Sequence, residues 1–235
     1  MTMNVNATKV EETTDEAIAR TRKHIAKIGR FLFERFLTDA GGGNISVRVG
    51  DRICISPRYS GSQRQWQLEP EDVLVADFDR NILDGKGQIS REANVHFNLH
   101  KEFGEWGTAV IHAHCRNLLV FAAAARPMPS VLEGTRKFGV TPVVDYAPAH
   151  SPRLGAAIVD SMRGREAKIK AHAAAAIAPW HGLFLMGKDL DAAFDAVERL
   201  EGNAYCIIMG NLLVGPQAVE ENRQKMDATV SNYKE

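Results

Sequence analysis

The sequence predicts an α/β fold, with a mixed, partly antiparallel sheet covered by helices. Two observations carry this. Segments of helical and strand period alternate along the chain, which is the pattern of helices packed on a sheet. Several neighbouring strand segments are separated only by short turns, which join strands antiparallel. With 235 residues, 45% of them hydrophobic, the chain has material for one packed core.

The elements follow in order. Thr14 to Leu37 has helical spacing, with Ile18, Ile25, Ile28, Phe31, Leu32, Phe36 and Leu37 mostly three or four residues apart. Gly41-Gly42-Gly43-Asn44 ends it. Ile45–Val49 alternates as a strand, Val49-Gly50-Asp51 turns, and Arg52–Ser56 pairs back. Val73–Asp77 reads as a third strand, and Asp79–Gly85 as turn residues. Glu92–Phe103 is a helix, Thr108–His114 a buried strand, Asn117–Ala125 a helix and Pro142–Tyr146 a short strand. Ser151–Met162 is a helix with Pro152 in its first turn, where a missing N–H costs little. Ala175–Met186 is a strand pair or one long strand broken at His181-Gly182. Asp189–Leu213 is a long helix whose apolar stripe is Leu190, Phe194, Val197, Ala204 and Ile208.

Charge and composition exclude several function classes. The formal net charge is zero, so no overall field draws nucleic acid or an anionic membrane, and any anion binding must be local. The apolar runs are broken by His, Gly or Pro well before the ~18–20 residues that a membrane span needs. Met1 to Thr14 is polar and acidic, without an apolar signal core, and reads as a flexible tail. Cys54, Cys115 and Cys206 are odd in number and widely spaced, which suits reduced thiols in a cytoplasmic protein.

His112-Ala113-His114 closes the Thr108–His114 strand. Residues two apart in a strand share a face, so both imidazoles can reach one ion. His181 lies in a second apolar stretch, and Gly182 after it permits close approach. Three histidines are the ligand count of a catalytic zinc site, with one position left for water or substrate. On spacing alone, only His112 and His114 pair; His181 could equally be an ordinary core histidine. Among the other five, His24 reads as solvated and His172 as part of an Ala-rich loop. His100 and His150 could line a cleft but carry no spacing signal. His96 follows Glu92 by one helical turn, and either orients that carboxylate or packs.

Four ordered segments resemble the class II aldolase/adducin family over roughly residues 15 to 213. They are Gly42-Gly43-Asn44-Ile45-Ser46; Ser90-Arg91-Glu92 with His96; Ala109-Val110-Ile111-His112-Ala113-His114; and His181-Gly182 with Gly187-Lys188-Asp189-Leu190. The family's sugar-phosphate members include fuculose-, rhamnulose- and pentulose-phosphate aldolases and ribulose-phosphate 4-epimerases. The resemblance implies a three-layer α/β/α sandwich with a central mixed, largely antiparallel sheet. It implies one domain over residues 15–215, a 216–235 tail packing at a subunit interface, and a homotetramer with interfacial active sites. It makes His112, His114 and His181 the metal ligands, with Glu92 as fourth ligand or acid/base. Zinc suits that donor set; cobalt, manganese and iron are alternatives.

The resemblance also implies phosphate binding by Gly43, Asn44, the Ser56–Gly61 loop (Ser56, Ser60, Gly61) and the pair before the glutamate, Ser90-Arg91. Glycine can aim successive N–H groups at an anion. Two departures stand out. Arg91 replaces a small hydroxyl residue, and could grip phosphate bidentately, indicate a carboxylate substrate, or point away. The Arg58–Gln67 loop is longer and more polar than its counterpart. A tyrosine from a neighbouring subunit's C-terminal region completes the family's aldolase sites; Tyr233 is the candidate in the tail, and Tyr205 lies on the long helix. The expected activity is retro-aldol cleavage of a ketose 1-phosphate to dihydroxyacetone phosphate and an aldehyde. A sugar-phosphate 4-epimerase, dehydratase or decarboxylase on the same metal site is the alternative, and a noncatalytic adducin-like interaction domain a third reading.

Overall fold

The computed structural model describes residues 12–233. Helix α1 (Thr14–Glu34) opens on a capping box, in which Thr13 Oγ1 accepts the Glu16 N–H at 3.3 Å and Glu16 Oε2 accepts the Thr13 N–H at 2.9 Å. Residues 12–14 of the expected tail therefore lead directly into helix; the rest of it, residues 1–11, lies outside the described residues. The helix stops short of Leu37 because Phe36 takes a left-handed φ of 59°.

Seven strands form one sheet: β1 (Asn44–Val49), β2 (Arg52–Ile55), β3 (Leu74–Ala76), β4 (Ile82–Asp84), β5 (Ala109–Ala113), β6 (Ala173–Ala178) and β7 (Gly182–Gly187). Their order is β4-β3-β2-β1-β5-β7-β6, and every neighbouring pair is antiparallel. Pro142–Tyr146 does not form a full strand. Its Val143 makes an isolated parallel bridge to Ile177, which is the parallel element among the described residues. Strand β4 arises within the segment expected to be turn; its residues are all exposed at the sheet edge, so no apolar alternation marks it. The segment Ala175–Met186 resolves as the β6–β7 hairpin.

The remaining helices are α2 (Ala93–Phe103), α3 (Leu118–Ala123), α4 (Pro152–Met162), α5 (Glu166–Ala171), α6 (Leu190–Val214) and α7 (Pro216–Asn232). Alternation along the strands divides them into layers. Ala109, Ile111 and Ala113 of β5 pack with Ile45 and Val47 of β1 beneath α1, α3 and α6. Val110 of β5 and Phe184 and Met186 of β7 pack beneath α2, α4 and α5. The result is the three-layer α/β/α sandwich. His112, an even-numbered residue of β5, falls on the α2/α4 face. Strand β6 begins with four alanines, poor strand formers in isolation, but buried on both faces they fill the space between the helical layers.

Residues 216–232 are helix α7 rather than an irregular tail. It is held by the Arg136–Asp227 pair at 2.8 Å and by a bond from Arg136 Nη2 to Ser231 Oγ at 2.9 Å. The segment before α4 is tied to α6 by buried Asn203. Its Oδ1 accepts the Val131 N–H and the Thr135 hydroxyl, each at 2.9 Å, and its Nδ2 donates to the Pro129 carbonyl at 2.8 Å. Removing one buried partner strands the others. Asn203→Ala is expected to lose about 2–4 kcal/mol of stability in urea unfolding; a loss below about 0.5 kcal/mol would contradict this account.

Candidate metal centre and active site

Antiparallel pairing brings the site together. Asn44, the first residue of β1, lies opposite His112 of β5, and Phe184 of β7 lies opposite it on the other side. His114 sits just past the end of β5, and His181 just before β7. Each imidazole offers one nitrogen, and these three atoms lie within 4.8 Å of one another.

The three rings are held from behind. His112 is buried, stacks on Phe184 at 4.0 Å between centroids, and donates from Nδ1 to the Leu183 carbonyl at 2.8 Å. That bond leaves the Nε2 lone pair free to face the cleft. His114 Nδ1 lies 3.3 Å from the Asp39 carboxylate. Asp39 Oδ1 also accepts the Gly41 and Gly42 N–H groups, both at 2.8 Å. A Cβ on Gly42 would stand 2.1 Å from the His114 ring, and one on Gly182 2.9 Å from it, so both positions must be glycine for the ring to fit. Burial holds His112 well below its ordinary pKa, and burial with His114 and His150 nearby brings His181 down to about 4. Neutral imidazoles are the form that ligates a cation.

Glu92 is the residue before α2, yet its side chain does not cap that helix. It is 5% exposed and turned to the cleft, which rules out a solvated helix-start carboxylate. Its Oε1 lies 2.6 Å from His150 Nδ1 and 3.6 Å from His181 Nε2. Burial pushes its carboxyl up to about 7, against the opposing pull of the His150 backbone and the Arg91 charge. Both Glu92 oxygens and His114 Nε2 are buried without a well-formed hydrogen bond. Buried acceptors left unpaired beside three converging imidazoles fit a divalent cation.

These groups line a cleft of about 220 Å³, shared with Gly43, Asn44, Ser60, Gly61, Ser90 and Arg91. Of the residues expected to bind substrate, Ser56 is displaced: it is fully buried, and its hydroxyl accepts the Ile45 N–H at 3.0 Å. Ser60 lines the cleft, but its proton goes to the Pro57 carbonyl at 2.6 Å. Ser90 Oγ accepts from Asn44 Nδ2 at 2.9 Å and from the Glu92 N–H at 3.2 Å, so its own proton remains to donate. Arg91 lines the cleft, together with Arg58. Arg58 is stitched to the same wall by its N–H to the Gln88 carbonyl at 2.8 Å. The long 58–67 loop is anchored at its far end by Trp66, which is fully buried against Gly29 of α1. Tyr233 ends α7, is 77% exposed and does not line the cleft of its own chain; Tyr205, half exposed on α6, does not either.

Sequence reasoning missed Asp39 and left His150 without a role. The Asp two residues ahead of a glycine run is an Asx-turn signal that could have found Asp39. His150 reaches Glu92 across 58 residues from a left-handed position, φ 68°, before α4, and no local pattern announces it.

A sequence profile of the Class II Aldolase and Adducin N-terminal domain matches residues 23–208. The chain is 30% identical over 195 residues to an L-fuculose phosphate aldolase of Methanocaldococcus jannaschii, covering 82% of this chain and 98% of that protein. It is 30% identical over 187 residues to a 3-oxo-tetronate 4-phosphate decarboxylase of Haemophilus influenzae, covering 77% and 83%. A solved L-fuculose 1-phosphate aldolase superposes with a TM-score of 0.73 at 24% identity, over 88% of this chain and 96% of that one. The fold is that of a class II aldolase. The chain belongs to the class II aldolase and adducin family, and within it to the lyases.

Glu92 supplies a test of the site's electrostatics. Its folded pKa of about 7 lies above the ordinary 4.5. The folded chain keeps this proton where the unfolded chain has lost it, so stability present below pH 4.5 is lost as the pH rises through 7. Metal-free Glu92→Gln should therefore be more stable than wild type at pH 8 by roughly 3 kcal/mol, with the gain gone below about pH 4.5. Equal melting of the two proteins across that range would refute the assignment.

Proposed function

We propose that this chain is a metal-dependent lyase that cleaves a ketose 1-phosphate by retro-aldol reaction into dihydroxyacetone phosphate and an aldehyde. The observation that carries the reading is the convergence of three imidazoles beside a buried carboxylate held near neutrality. Zinc is the ion in this reading. His112, His114 and His181 would hold it, with Glu92 within reach as fourth ligand or acid/base. The chemistry a divalent ion supplies there is Lewis-acid stabilisation of the enediolate charge.

The chain's own groups do the rest. A carboxyl near 7 is matched to moving a proton at the carbon that becomes nucleophilic, since acid and base forms are both available at neutral pH. His150 Nδ1 stands 2.6 Å from Glu92 Oε1, the oxygen that also faces His181 Nε2 at 3.6 Å, so it is placed to orient the carboxyl for proton transfer. Ser90, Arg58 and Arg91 form the anion-binding wall in this reading, with Gly43, Asn44, Ser60 and Gly61 shaping the space around it. Tyr233 stands away from its own cleft, so it would serve the site of a neighbouring copy in a homotetramer. The three free thiols support a cytoplasmic setting, and no helix among the described residues is long and apolar enough to cross a membrane.

A second reading, decarboxylation of a sugar-acid phosphate, is favoured by one feature. Two guanidinium groups, Arg58 and Arg91, line the cleft, as an extra carboxylate on the substrate would require. Product analysis separates the two readings: aldol cleavage yields two fragments without carbon dioxide. His112→Ala should abolish both stoichiometric metal binding and cleavage, and full activity in that variant would sink the proposal. Arg91→Ser is expected to raise KM for the phosphorylated substrate about tenfold or more while kcat changes little. An unchanged KM would place Arg91 outside the binding wall.

A further inference from the structure

Behind the cleft, and separate from its lining, three polar side chains meet in the core between β1 and α2. Ser46 Oγ lies 2.7 Å from His96 Nδ1 and 2.8 Å from His100 Nε2. All three residues are fully buried. Burial brings both imidazoles down to about 3, so both are neutral. The hydroxyl has one proton, so it donates to one ring and accepts an N–H from the other. The outer nitrogens, His96 Nε2 and His100 Nδ1, have no partner. Three apolar residues would fill this volume without stranding two polar atoms, so packing alone is a poor account of the group.

The placement suggests what the group does. Ser46 lies two residues along β1 from Asn44, on the same face, and Asn44 is paired with His112. His96 lies one helical turn after Glu92. One serine therefore ties the strand that neighbours the histidine cluster to the helix that begins after the carboxylate. A helix packed on a sheet by apolar contacts alone can slide, and one residue of slip is about 1.5 Å. A catalytic group misplaced by about 1 Å can cost on the order of a hundredfold in rate. The two bonds, to rings one turn apart on α2, fix both its position along the axis and its rotation.

We infer that Ser46, His96 and His100 form a buried clamp that sets the position of Glu92 relative to His112, His114 and His181, making them positioning residues for the reaction proposed above. The inference rests on that reading for its catalytic consequence, but its geometry can be tested without it.

The test uses zinc-loaded full-length protein labelled with carbon-13 at glutamate carboxyls. The Glu92 resonance is assigned as the one that Glu92→Gln removes. Ser46→Ala should keep one zinc per chain, yet move or broaden the Glu92 resonance. It should also lower kcat about tenfold or more with KM within about twofold. His96→Asn places an amide atom near the lost Nδ1 and should retain the wild-type Glu92 resonance; His96→Leu should not. The clamp is overturned if Ser46→Ala leaves the resonance and kcat unchanged. It is also overturned if His96→Asn and His96→Leu fall equally, or if Ser46→Ala loses its zinc, which would make the group a general support of the fold. A wild-type protein that cleaves no ketose phosphate would refute the proposed reaction, while the resonance still decides the clamp.

Discussion

Three imidazoles must face one another across less than 5 Å with their lone pairs inward to hold one ion, and most of the site can be derived from that requirement. Imidazoles free to rotate would turn their N–H groups to one another or to solvent. Here His112 is locked by a main-chain carbonyl of the neighbouring strand and by the flat face of Phe184. His114 is backed by Asp39, which is itself fixed by two N–H groups of the glycine turn. The sheet supplies the carbonyl and the aromatic face, and the turn after α1 supplies the carboxylate. Ligand orientation is thus a consequence of antiparallel register, and the glycines at 42 and 182 leave the space the rings occupy.

The same accounting changes the view of the substrate end. The Gly41 and Gly42 N–H groups are committed to Asp39, and the Ser60 proton to Pro57. In the proposed reading, the Ser90 hydroxyl and the guanidinium groups of Arg58 and Arg91 are donors for an anion. The long 58–67 loop carries one of these and is pinned by Trp66 under α1 and by Gln88 at its base. His112 sits on a strand and His114 and His181 directly at strand ends, whereas Arg58, Ser90 and Arg91 sit on loops. Substitutions on loops can alter the substrate without disturbing the ligand geometry.

Much of the sandwich and the metal end was legible in the sequence, because period and proximity encode them locally. His112 and His114 share a strand face, and the helices flanking the sheet show apolar stripes. What escaped was polar and long-range. Asn203 sits on the buried stripe of α6 and reads as an interruption of it, although its three hydrogen bonds tie down the 129–135 segment. Helix α7 has no buried residue and is held by ion pairs, so hydrophobic spacing could not reveal it. His150 meets Glu92 only through tertiary structure. His100, which could have lined a cleft, is instead fully buried behind it against Ser46, a contact that only the packing of helix on strand reveals.

Glu92 bears on whether this family fold is used here for chemistry or only for contacts. A carboxylate that is 5% exposed, lacks a well-formed hydrogen bond and is pushed toward neutrality by burial weakens the free fold at neutral pH. A domain serving only as a contact surface gains nothing from such a group, and a glutamine there would remove the burden without changing the surface. A further cost lies in the same place: His114 Nε2 is also buried and unpaired. Both are unfavourable in the free protein, and a cation between the imidazoles would relieve both. Local destabilisation concentrated at one cleft, of the kind a bound cation removes, is what a catalytic site tolerates, and protein–protein contact does not account for it.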